Sequence, residues 1–186
     1  LKLKYLGYRN APFNHLGAMN VLDKLISVNK NLNIKFFLVA GSLLGVARGQ
    51  NCIAGSAADI DLGICSKDLN KLENLENKLR KMGLLYSRKW PKRTKNYKLI
   101  SFFFQENHID ISIYSKKKIN GKYFWCGEGQ KSWTNSSGKP LLFNEPYFKK
   151  FKIFDFYNNK FLGPINPNLY LKKKYGKEWT KFPANK

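Results

Sequence analysis

Two carboxylates, separated by a single apolar residue, lie in an apolar stretch of this chain. Asp59 and Asp61 flank Ile60 in the sequence ADIDLGI, and an extended strand directs residues two apart to the same face of a sheet. Neighbouring carboxylates repel each other and are costly beside a core unless a cation neutralises them. Hard oxygen ligands suit Mg²⁺, which commonly completes its shell with waters and substrate phosphates. The pair therefore predicts a metal-dependent phosphoryl-transfer site with Mg²⁺ or Mn²⁺ as the cofactor.

A third carboxylate, Asp110, lies in a segment from His108 to Tyr114 in which isoleucines alternate with other residues. That alternation predicts a half-buried strand with Asp110 pointing into a cleft. If this strand neighbours the strand of Asp59 and Asp61, three carboxylates converge, enough for one or two divalent cations. Asp110 is then a metal ligand, a general base, or both. A lone D-x-D is also common in turns and helix caps, but the apolar context and the third carboxylate favour an active site.

Upstream of the acidic pair, Gly41-Ser42 follows a predicted buried strand and precedes a predicted short helix. A glycine lets the backbone approach a phosphate closely, and the first turn of a helix offers N–H groups to an anion. Arg48 ends that helix and could hold a phosphate with its guanidinium fork, although a surface salt bridge explains it equally well. Gly41, Ser42 and Arg48 are the predicted nucleotide- or phosphate-binding residues.

Composition narrows the class of protein. A length of 186 residues with 43% hydrophobic content predicts a single domain over residues 1–186. No apolar run approaches the roughly 18–20 residues that span a membrane, and three scattered cysteines with two histidines make a structural zinc site improbable. The net charge of +22 suggests an anionic partner such as a nucleotide, a nucleic acid, an anionic glycan or a lipid headgroup. Many of the lysines could equally be solvated surface.

Hydrophobic periodicity predicts the elements that position these residues. The helical patterns cover Asn14–Val28, Ser42–Arg48, a segment capped at Ser66 and ending at Gly83, and Asn166–Tyr175. The strand patterns cover Lys35–Ala40, Asp59–Ile64, Leu99–Gln105 and His108–Tyr114. Gly49–Ala58 is predicted as a loop, and glycines between residues 121 and 140 predict a loop-rich region with short strands. This order predicts an α+β fold, a mixed β-sheet flanked by helices.

Three further sets of residues each allow a functional and a purely structural interpretation. The basic run at 92–98 could contact a donor or an acidic acceptor, but such runs are more often solvated. His108 could assist proton transfer, although a structural histidine is the better expectation. Trp125, Cys126 and Trp133 could stack on a base or a sugar, or could fill the core under their loop.

Four motifs follow one another along the chain. They are GSLLGVAR at 41–48, DIDLG at 59–63, HIDI at 108–111, and Tyr170-Leu171 followed by YGKEW at 175–179. In this order they resemble the G-[ST]-L-L-G-x-x-R, D-[IV]-D-[IL]-G, third-carboxylate and Y-L…Y-G-x-x-W motifs of the LicD/fukutin family. That family is part of the polymerase-β-like nucleotidyltransferase superfamily. The resemblance extends from about Leu16 to Pro183, but Ser56-Ala57-Ala58 stand where many relatives carry W-D-x.

The resemblance implies a nucleotidyltransferase (polymerase-β-like) fold in which Asp59, Asp61 and Asp110 bind metal and act in catalysis. It also implies transfer of phosphocholine or a phospho-alditol, such as ribitol or glycerol phosphate, from a CDP-activated donor to a hydroxyl of a cell-surface glycan or polysaccharide. One alternative is a nucleotidyltransferase that acts on RNA or a small molecule. Another is a non-catalytic basic nucleic-acid-binding module, but carboxylates would repel a phosphate backbone, so nucleic acid is an unfavourable partner.

The expected location follows from the lack of a recognisable targeting segment. It is the cytoplasm, with peripheral contact to an anionic membrane as a further expectation. Because the sequence begins without methionine, it could be a domain cut from a longer chain. A trimmed eukaryotic-type protein of this kind would instead be expected in the Golgi lumen.

Overall fold

The computed structural model describes residues 15–50, 59–83, 86–90, 99–104, 107–127, 142–144, 148 and 150–181. The helices are α1 (His15–Asn29), α2 (Ala40–Ala47), α3 (Leu72–Lys81) and α4 (Pro167–Tyr175), with 3-10 helices at Ser66–Lys71 and Trp179–Lys181. The strands are β1 (Phe37–Leu38), β2 (Asp59–Cys65), β3 (Tyr86–Trp90), β4 (Leu99–Phe104), β5 (Asn107–Ile119), β6 (Lys122–Gly127), β7 (Leu142–Asn144), β8 (Phe151–Phe156) and β9 (Asn159–Pro164). Within these ranges, no helix is long and apolar enough to cross a membrane.

The strands form one mixed sheet in the order β3-β4-β5-β2-β1-β9-β8, with β6 paired to β5 and β7 paired to β6. The pairs β2–β5 and β1–β9 are parallel, and the other pairs are antiparallel. The long strand β5 pairs with β4 and β2 through its first half and with β6 through its second half. The two aspartate-bearing strands, β2 and β5, are therefore neighbours.

Strand β2 separates a buried face from a face that carries the acidic residues. Ile60, Leu62 and Ile64 are fully buried, whereas Asp59 and Asp61 are half-buried on the opposite face. The buried isoleucines of β5 repeat this alternation beside them. The predicted α+β class, with a mixed sheet flanked by helices, is confirmed.

Helices α1 and α3 cover the isoleucine face of the sheet. Val21 of α1 and Leu79 of α3 meet Phe102 of β4 and Ile109 of β5 around one small cavity. In α1 the buried residues recur at the three- and four-residue spacing of an amphipathic helix, at Gly17, Ala18, Val21, Leu22, Leu25 and Val28. The aspartates consequently lie on the face that α1 and α3 leave uncovered.

Several predicted boundaries were wrong, for local reasons. The predicted strand Lys35–Ala40 is regular only at Phe37–Leu38, because Ala40 already begins α2. The segment predicted to start as an α-helix with Ser66 as its N-cap begins as a 3-10 helix whose cap position is Cys65. Strand β5 continues five residues past the predicted end at Tyr114, because it gains β6 as a new partner.

Other predictions agree closely or cannot be compared. Helix α4 begins as predicted, because the Asn166 side chain accepts a hydrogen bond from the Leu169 N–H at 3.3 Å and Pro167 occupies the first turn. Residues 51–58 of the predicted loop Gly49–Ala58, the basic run at 92–98, and Trp133 lie outside the described residues. No strands were predicted where β8 and β9 form a hairpin, and β9 extends the sheet by pairing with β1.

Gly63 of β2 leaves room for the ring of Phe37 on the neighbouring strand β1. A Cβ atom at position 63 would lie 2.4 Å from Phe37 Cε2. Phe37 is 1% exposed, and its ring centre lies 5.4 Å from that of Tyr114 and 5.1 Å from that of Phe151. We expect Gly63→Ala to lower the free energy of unfolding by about 1–3 kcal/mol, as overpacking of a core does. Urea denaturation would measure this loss.

Gly163→Ala is the matched control on β9. A Cβ atom there would lie 2.5 Å from the ring of Phe154, which is half-exposed and therefore less confined than the buried ring of Phe37. The loss at Gly63 should therefore be the larger one, and Phe37→Leu in the Gly63→Ala background should recover part of it. Equal losses at the two glycines, with no recovery, would contradict the packing account.

Candidate active site

The parallel pairing of β2 and β5 brings the three predicted aspartates together. Asp61 is the direct register partner of Asp110, and Asp59 is the partner of His108. One oxygen from each of Asp59, Asp61 and Asp110 lies within 4.8 Å of the other two. The backbone of His108 is placed in this pairing, while its side chain lies outside the described part of the structure.

The three carboxylates are costly to ionise together in the absence of a cation. Burial, together with the charges of Asp61 and Asp110, raises the pKa of Asp59 to about 8. Burial and the charge of Asp110 raise the pKa of Asp61 to about 7. A divalent cation would relieve this repulsion, and a set of carboxylate oxygens is the donor chemistry that Mg²⁺ or Mn²⁺ prefers. Asp59, Asp61 and Asp110 thus fit the predicted cofactor.

These pKa shifts predict how stability depends on pH in metal-free protein. A carboxyl group whose pKa is higher in the folded than in the unfolded state stabilises the fold fully below its unfolded pKa, which is 3.8 for aspartate. That contribution is lost as the pH rises through the folded values of about 7 for Asp61 and about 8 for Asp59. We therefore expect the melting temperature in EDTA to fall between about pH 4 and about pH 8.

Melting curves at several pH values, in EDTA and in excess Mg²⁺, would test this dependence. Because Mg²⁺ binds the ionised carboxylates, it should make the fall with pH smaller. The Asp59→Asn variant in EDTA should also show a smaller fall than the unaltered protein. A melting temperature in EDTA that rises from pH 5 to pH 8 would contradict the prediction.

Gly41 and Ser42 contact Asp61 directly. The Gly41 N–H donates a hydrogen bond to Asp61 Oδ2 at 2.8 Å, and the Asp61 N–H donates one to Ser42 Oγ at 2.8 Å. Both residues lie in the first turn of α2, where the positive end of the helix dipole stabilises a carboxylate. The structure thus shows these two residues holding a predicted metal ligand, and their contact with a phosphate remains a prediction.

Ser101 of β4 is a site residue that the sequence pattern did not predict. It lies directly opposite Asp110 in the antiparallel pairing of β4 and β5, and its hydroxyl donates a hydrogen bond to Asp110 Oδ1. A partner of this kind fixes the orientation of a metal-binding carboxylate. Nothing in the segment LISFFF marks this serine, because its role depends on the register between two strands.

Tyr170 of α4 supports the start of α2. The Ala40 N–H donates a hydrogen bond to Tyr170 Oη at 3.2 Å, and Tyr170 Oη lies 3.1 Å from Tyr114 Oη. Ala40 has a φ of +42°, a conformation that costs a non-glycine residue about 1–3 kcal/mol and therefore needs support. Burial raises the pKa of both tyrosines, so both hydroxyls stay protonated at neutral pH. The tyrosine pair thus holds the backbone from which Gly41 reaches Asp61.

We expect Tyr170→Phe to lower the free energy of unfolding by about 1–3 kcal/mol, because the buried Ala40 N–H loses its acceptor. Tyr123→Phe is the matched control, since Tyr123 is 47% exposed on β6. Urea denaturation of both variants would measure the difference. A loss at position 170 as small as that at position 123 would show that the hydroxyl does not support α2.

Arg48 joins two of the motifs identified in the sequence. It follows α2 directly, and its Nη2 donates a hydrogen bond to the carbonyl oxygen of Trp179 at 2.5 Å. The GSLLGVAR segment and the C-terminal YGKEW segment are therefore in contact. The role of Arg48 in phosphate binding remains a prediction.

Lys174 of α4 is a second site residue that was not predicted. Burial lowers its pKa to about 8, and the charge of Asp61 acts in the opposite direction. The same interaction counteracts the rise in the pKa of Asp61. At neutral pH, Lys174 is thus a cation that acts on the acidic cluster from the C-terminal helix.

Trp125 and Cys126 lie away from the acidic cluster. Both belong to β6, where Cys126 is buried and the half-buried Trp125 has its ring centre 5.9 Å from that of Phe148. Their register partners are Lys116 and Ser115 in the second half of β5, beyond the stretch that pairs with β2. Trp125 also lines a separate cleft at the other end of β2.

A family model described as "LicD/FKTN/FKRP, nucleotidyltransferase domain" matches residues 33–166. The chain belongs to the LicD/fukutin family. The part that matches the LicD/fukutin model includes the three aspartates, Gly41-Ser42 and Arg48, while Tyr170 and Lys174 lie a few residues beyond it. No curated protein sequence matches this chain.

Two solved structures of the antibiotic-resistance factor ANT(2'')-Ia show a low similarity to this member of the LicD/fukutin family. Its solution structure is 14% identical, with 72% of this chain and 68% of that chain covered and a TM-score of 0.41. Its crystal structure with adenylyl-2''-tobramycin is 14% identical, with 69% and 70% covered and a TM-score of 0.37. The family assignment rests on the family model.

Proposed function

We propose that this protein is a Mg²⁺-dependent transferase that moves a phosphorylated substituent from a CDP-activated donor to a hydroxyl of a cell-surface glycan. The substituent would be phosphocholine or a phospho-alditol such as ribitol or glycerol phosphate. The observation that carries the proposal is the convergence of Asp59, Asp61 and Asp110 within 4.8 Å in a LicD/fukutin domain. We also propose that the sheet has the strand arrangement of the polymerase-β-like nucleotidyltransferases.

In the proposed reaction, the glycan hydroxyl oxygen attacks the phosphorus atom that bears the substituent. The bond from that phosphorus to the oxygen bridging to CMP breaks, CMP leaves, and a phosphodiester joins the substituent to the glycan. Asp110, which Ser101 orients, is the candidate acceptor of the hydroxyl proton. A divalent cation bound by the three aspartates would supply positive charge to the phosphates.

Cationic side chains around the cluster are proposed to hold the donor. Lys174 places a positive charge near Asp61, where donor phosphates would meet the cation. A guanidinium carries five N–H donors, so the bond from Arg48 to Trp179 is compatible with a phosphate contact. Gly41 and Ser42 would contribute by fixing Asp61. A protein with a net charge of +22 is attracted to anionic surfaces, and we propose that it works at the cytoplasmic surface of a membrane.

Calorimetric titration tests the donor first. CDP, CMP, UDP and ADP would be titrated into the protein in Mg²⁺ and in EDTA, and again into the Asp59→Ala/Asp61→Ala variant. Binding of CDP that requires Mg²⁺ and is lost in the variant supports the proposal. Equal binding of all four nucleotides without metal would mean that the basic surface dominates, and the proposal would fail.

Product analysis then separates the two kinds of transfer. With CDP-choline, CDP-ribitol or CDP-glycerol and a glycan acceptor, the proposal predicts free CMP and an acceptor that has gained the phosphorylated substituent. A nucleotidyltransferase would instead leave the nucleotide on the acceptor. Mass spectrometry of the acceptor distinguishes the two products.

A further inference from the structure

A second concave site lies at the far end of β2 from Asp59. It is a cleft of about 490 Å³, a size typical of small-molecule sites. Its apolar lining comes mainly from four aromatic rings on three separate parts of the chain, at Phe37, Trp125, and Phe148 and Phe151. Three lysines, Lys35, Lys67 and Lys116, also line it.

This cleft is separate from the acidic cluster, although both lie on the same face of the sheet. Asp61 and Cys65 are four residues apart on β2, so they point to the same side about 13 Å from each other. The ring of Phe37 lies over Gly63 between them and contacts Tyr114. This aromatic wall divides the two sites.

The charge of the cleft favours an anion. None of the residues described as lining it is acidic. Burial raises the pKa of the Cys65 thiol, and the charges of Lys67 and Lys35 counteract that rise, so both ammonium groups act on a residue that lines the cleft. The charge of Asp68 adds to that rise, but Asp68 is not among the described lining residues and forms an ion pair with Lys71 at 2.8 Å. The three lysines are thus suited to a phosphate or another anionic group.

The aromatic lining favours a ring with an apolar face. Trp125 and Phe151 are half-buried, so part of each ring remains accessible, while Phe37 and Phe148 are almost fully buried beneath them. The C–H face of a sugar ring packs on such surfaces, and lysine ammonium groups bind phosphate as point charges.

We propose that this cleft binds a phosphorylated, or otherwise anionic, sugar unit of the acceptor. The proposal rests on the function proposed above, and it adds an anchoring site at a distance from the site of transfer. A glycan that already carries phosphorylated substituents would dock one modified unit here while another unit reaches the aspartates.

Nuclear magnetic resonance of the full chain tests binding directly, with the indole N–H of Trp125 as the reporter. Its signal is assigned with Trp125→Phe, and the probes are glucose 6-phosphate, glucose, inorganic phosphate and CMP. We expect glucose 6-phosphate to shift this signal saturably and to bind at least about 10-fold more tightly than the other three. No shift, or equal binding of inorganic phosphate alone, would overturn the proposal. Tighter binding of CMP would make the cleft a nucleotide site instead.

Charge reversal provides the matched control. Lys35→Glu/Lys67→Glu should weaken binding of glucose 6-phosphate by at least about 10-fold. Lys78→Glu/Lys81→Glu makes the same change in net charge on exposed residues of α3, which covers the opposite face of the sheet, and should leave binding within about 2-fold. Equal weakening by both pairs would mean that only overall charge matters, against the proposal.

Two further readouts separate failure of this proposal from failure of the proposed function. Asp59→Asn/Asp61→Asn should abolish metal-dependent CDP binding and leave binding of glucose 6-phosphate at the cleft intact. In the transfer reaction, Lys35→Glu/Lys67→Glu should raise the KM for a phosphorylated polymeric acceptor and leave the KM for the CDP donor unchanged. An unchanged acceptor KM would refute the anchoring role even where the transferase activity itself is present.

Discussion

Asp59→Asn is expected to lower transfer activity by at least about 10³-fold while making the metal-free protein more resistant to heat. A bound cation contributes several kcal/mol to phosphoryl transfer, and each ~1.4 kcal/mol corresponds to a factor of ten in rate. The same carboxylate carries a pKa raised to about 8 by burial and by its two acidic neighbours, so removal of its charge relieves repulsion in the folded state. About 1 kcal/mol of relief would raise the melting temperature by roughly 2–4 °C.

Three measurements on this variant are independent of one another. Calorimetry with Mn²⁺ reports metal affinity without any knowledge of the substrate, melting in EDTA reports the relieved repulsion, and CMP release from the donor reports activity. We expect weaker Mn²⁺ binding, a higher melting temperature and almost no CMP release. A variant that loses activity and is also destabilised in EDTA would indicate a structural role for Asp59.

Asp68→Asn is the matched control, because it also removes one carboxylate that is largely shielded from solvent. Asp68 is buried in the 3-10 helix after β2 and forms an ion pair with Lys71 at 2.8 Å. Its removal should lower stability, because it breaks a partly buried pair, and should leave Mn²⁺ binding unchanged. Opposite signs of the change in melting temperature at positions 59 and 68 would separate a repulsive carboxylate from a paired one.

The core of the candidate site could be predicted from sequence because local alternation determines which way a strand residue points. In β2, the burial of Ile60 and Leu62 on one face obliges Asp59 and Asp61 to share the other. The same reasoning applied to β5 gave Asp110. Alternation alone does not say that the two strands are neighbours, and that expectation depended on the motif order. The pairing of Asp61 with Asp110 confirms that β2 and β5 are neighbours.

The supporting residues could not be predicted in this way, because their contacts join distant parts of the chain. Ser101 meets Asp110 only through the register of β4 on β5, and Tyr170 reaches Ala40 across 130 positions. Such pairings leave no local periodic signal. They are tertiary consequences of the sheet order.

The hairpin of β8 and β9 was missed for a different reason. Its turn, Tyr157-Asn158, has positive φ at both residues, which is the backbone that tight two-residue hairpins require. Glycine is the usual marker of that geometry, and here neither position carries one. Asn158 adopts positive φ readily, whereas Tyr157 does not, and the almost complete burial of Phe156 and Tyr157 stabilises the turn through packing.

Lys174→Met is expected to lower kcat/KM for the CDP donor by about 10–100-fold. In the proposed function, this lysine places a positive charge near Asp61 where the donor phosphates bind, and a charge-assisted hydrogen bond contributes about 1.5–3 kcal/mol. Lys173→Met, one residue earlier on an exposed position of α4, is the matched control and should change kcat/KM by less than about 2-fold. Steady-state kinetics with a single CDP donor would measure both variants.

Turnover of the donor, measured together with metal affinity, decides what Lys174 does within the site. If it contacts the donor, Lys174→Met should raise the donor KM or lower kcat while Mn²⁺ affinity stays equal or increases, because a cation that competes for Asp61 has been removed. If Lys174 serves only to neutralise Asp61 in metal-free protein, the variant should bind Mn²⁺ more tightly and turn over its donor normally. Normal turnover would therefore remove Lys174 from the proposed donor site and leave the carboxylates to bind the donor through the cation alone.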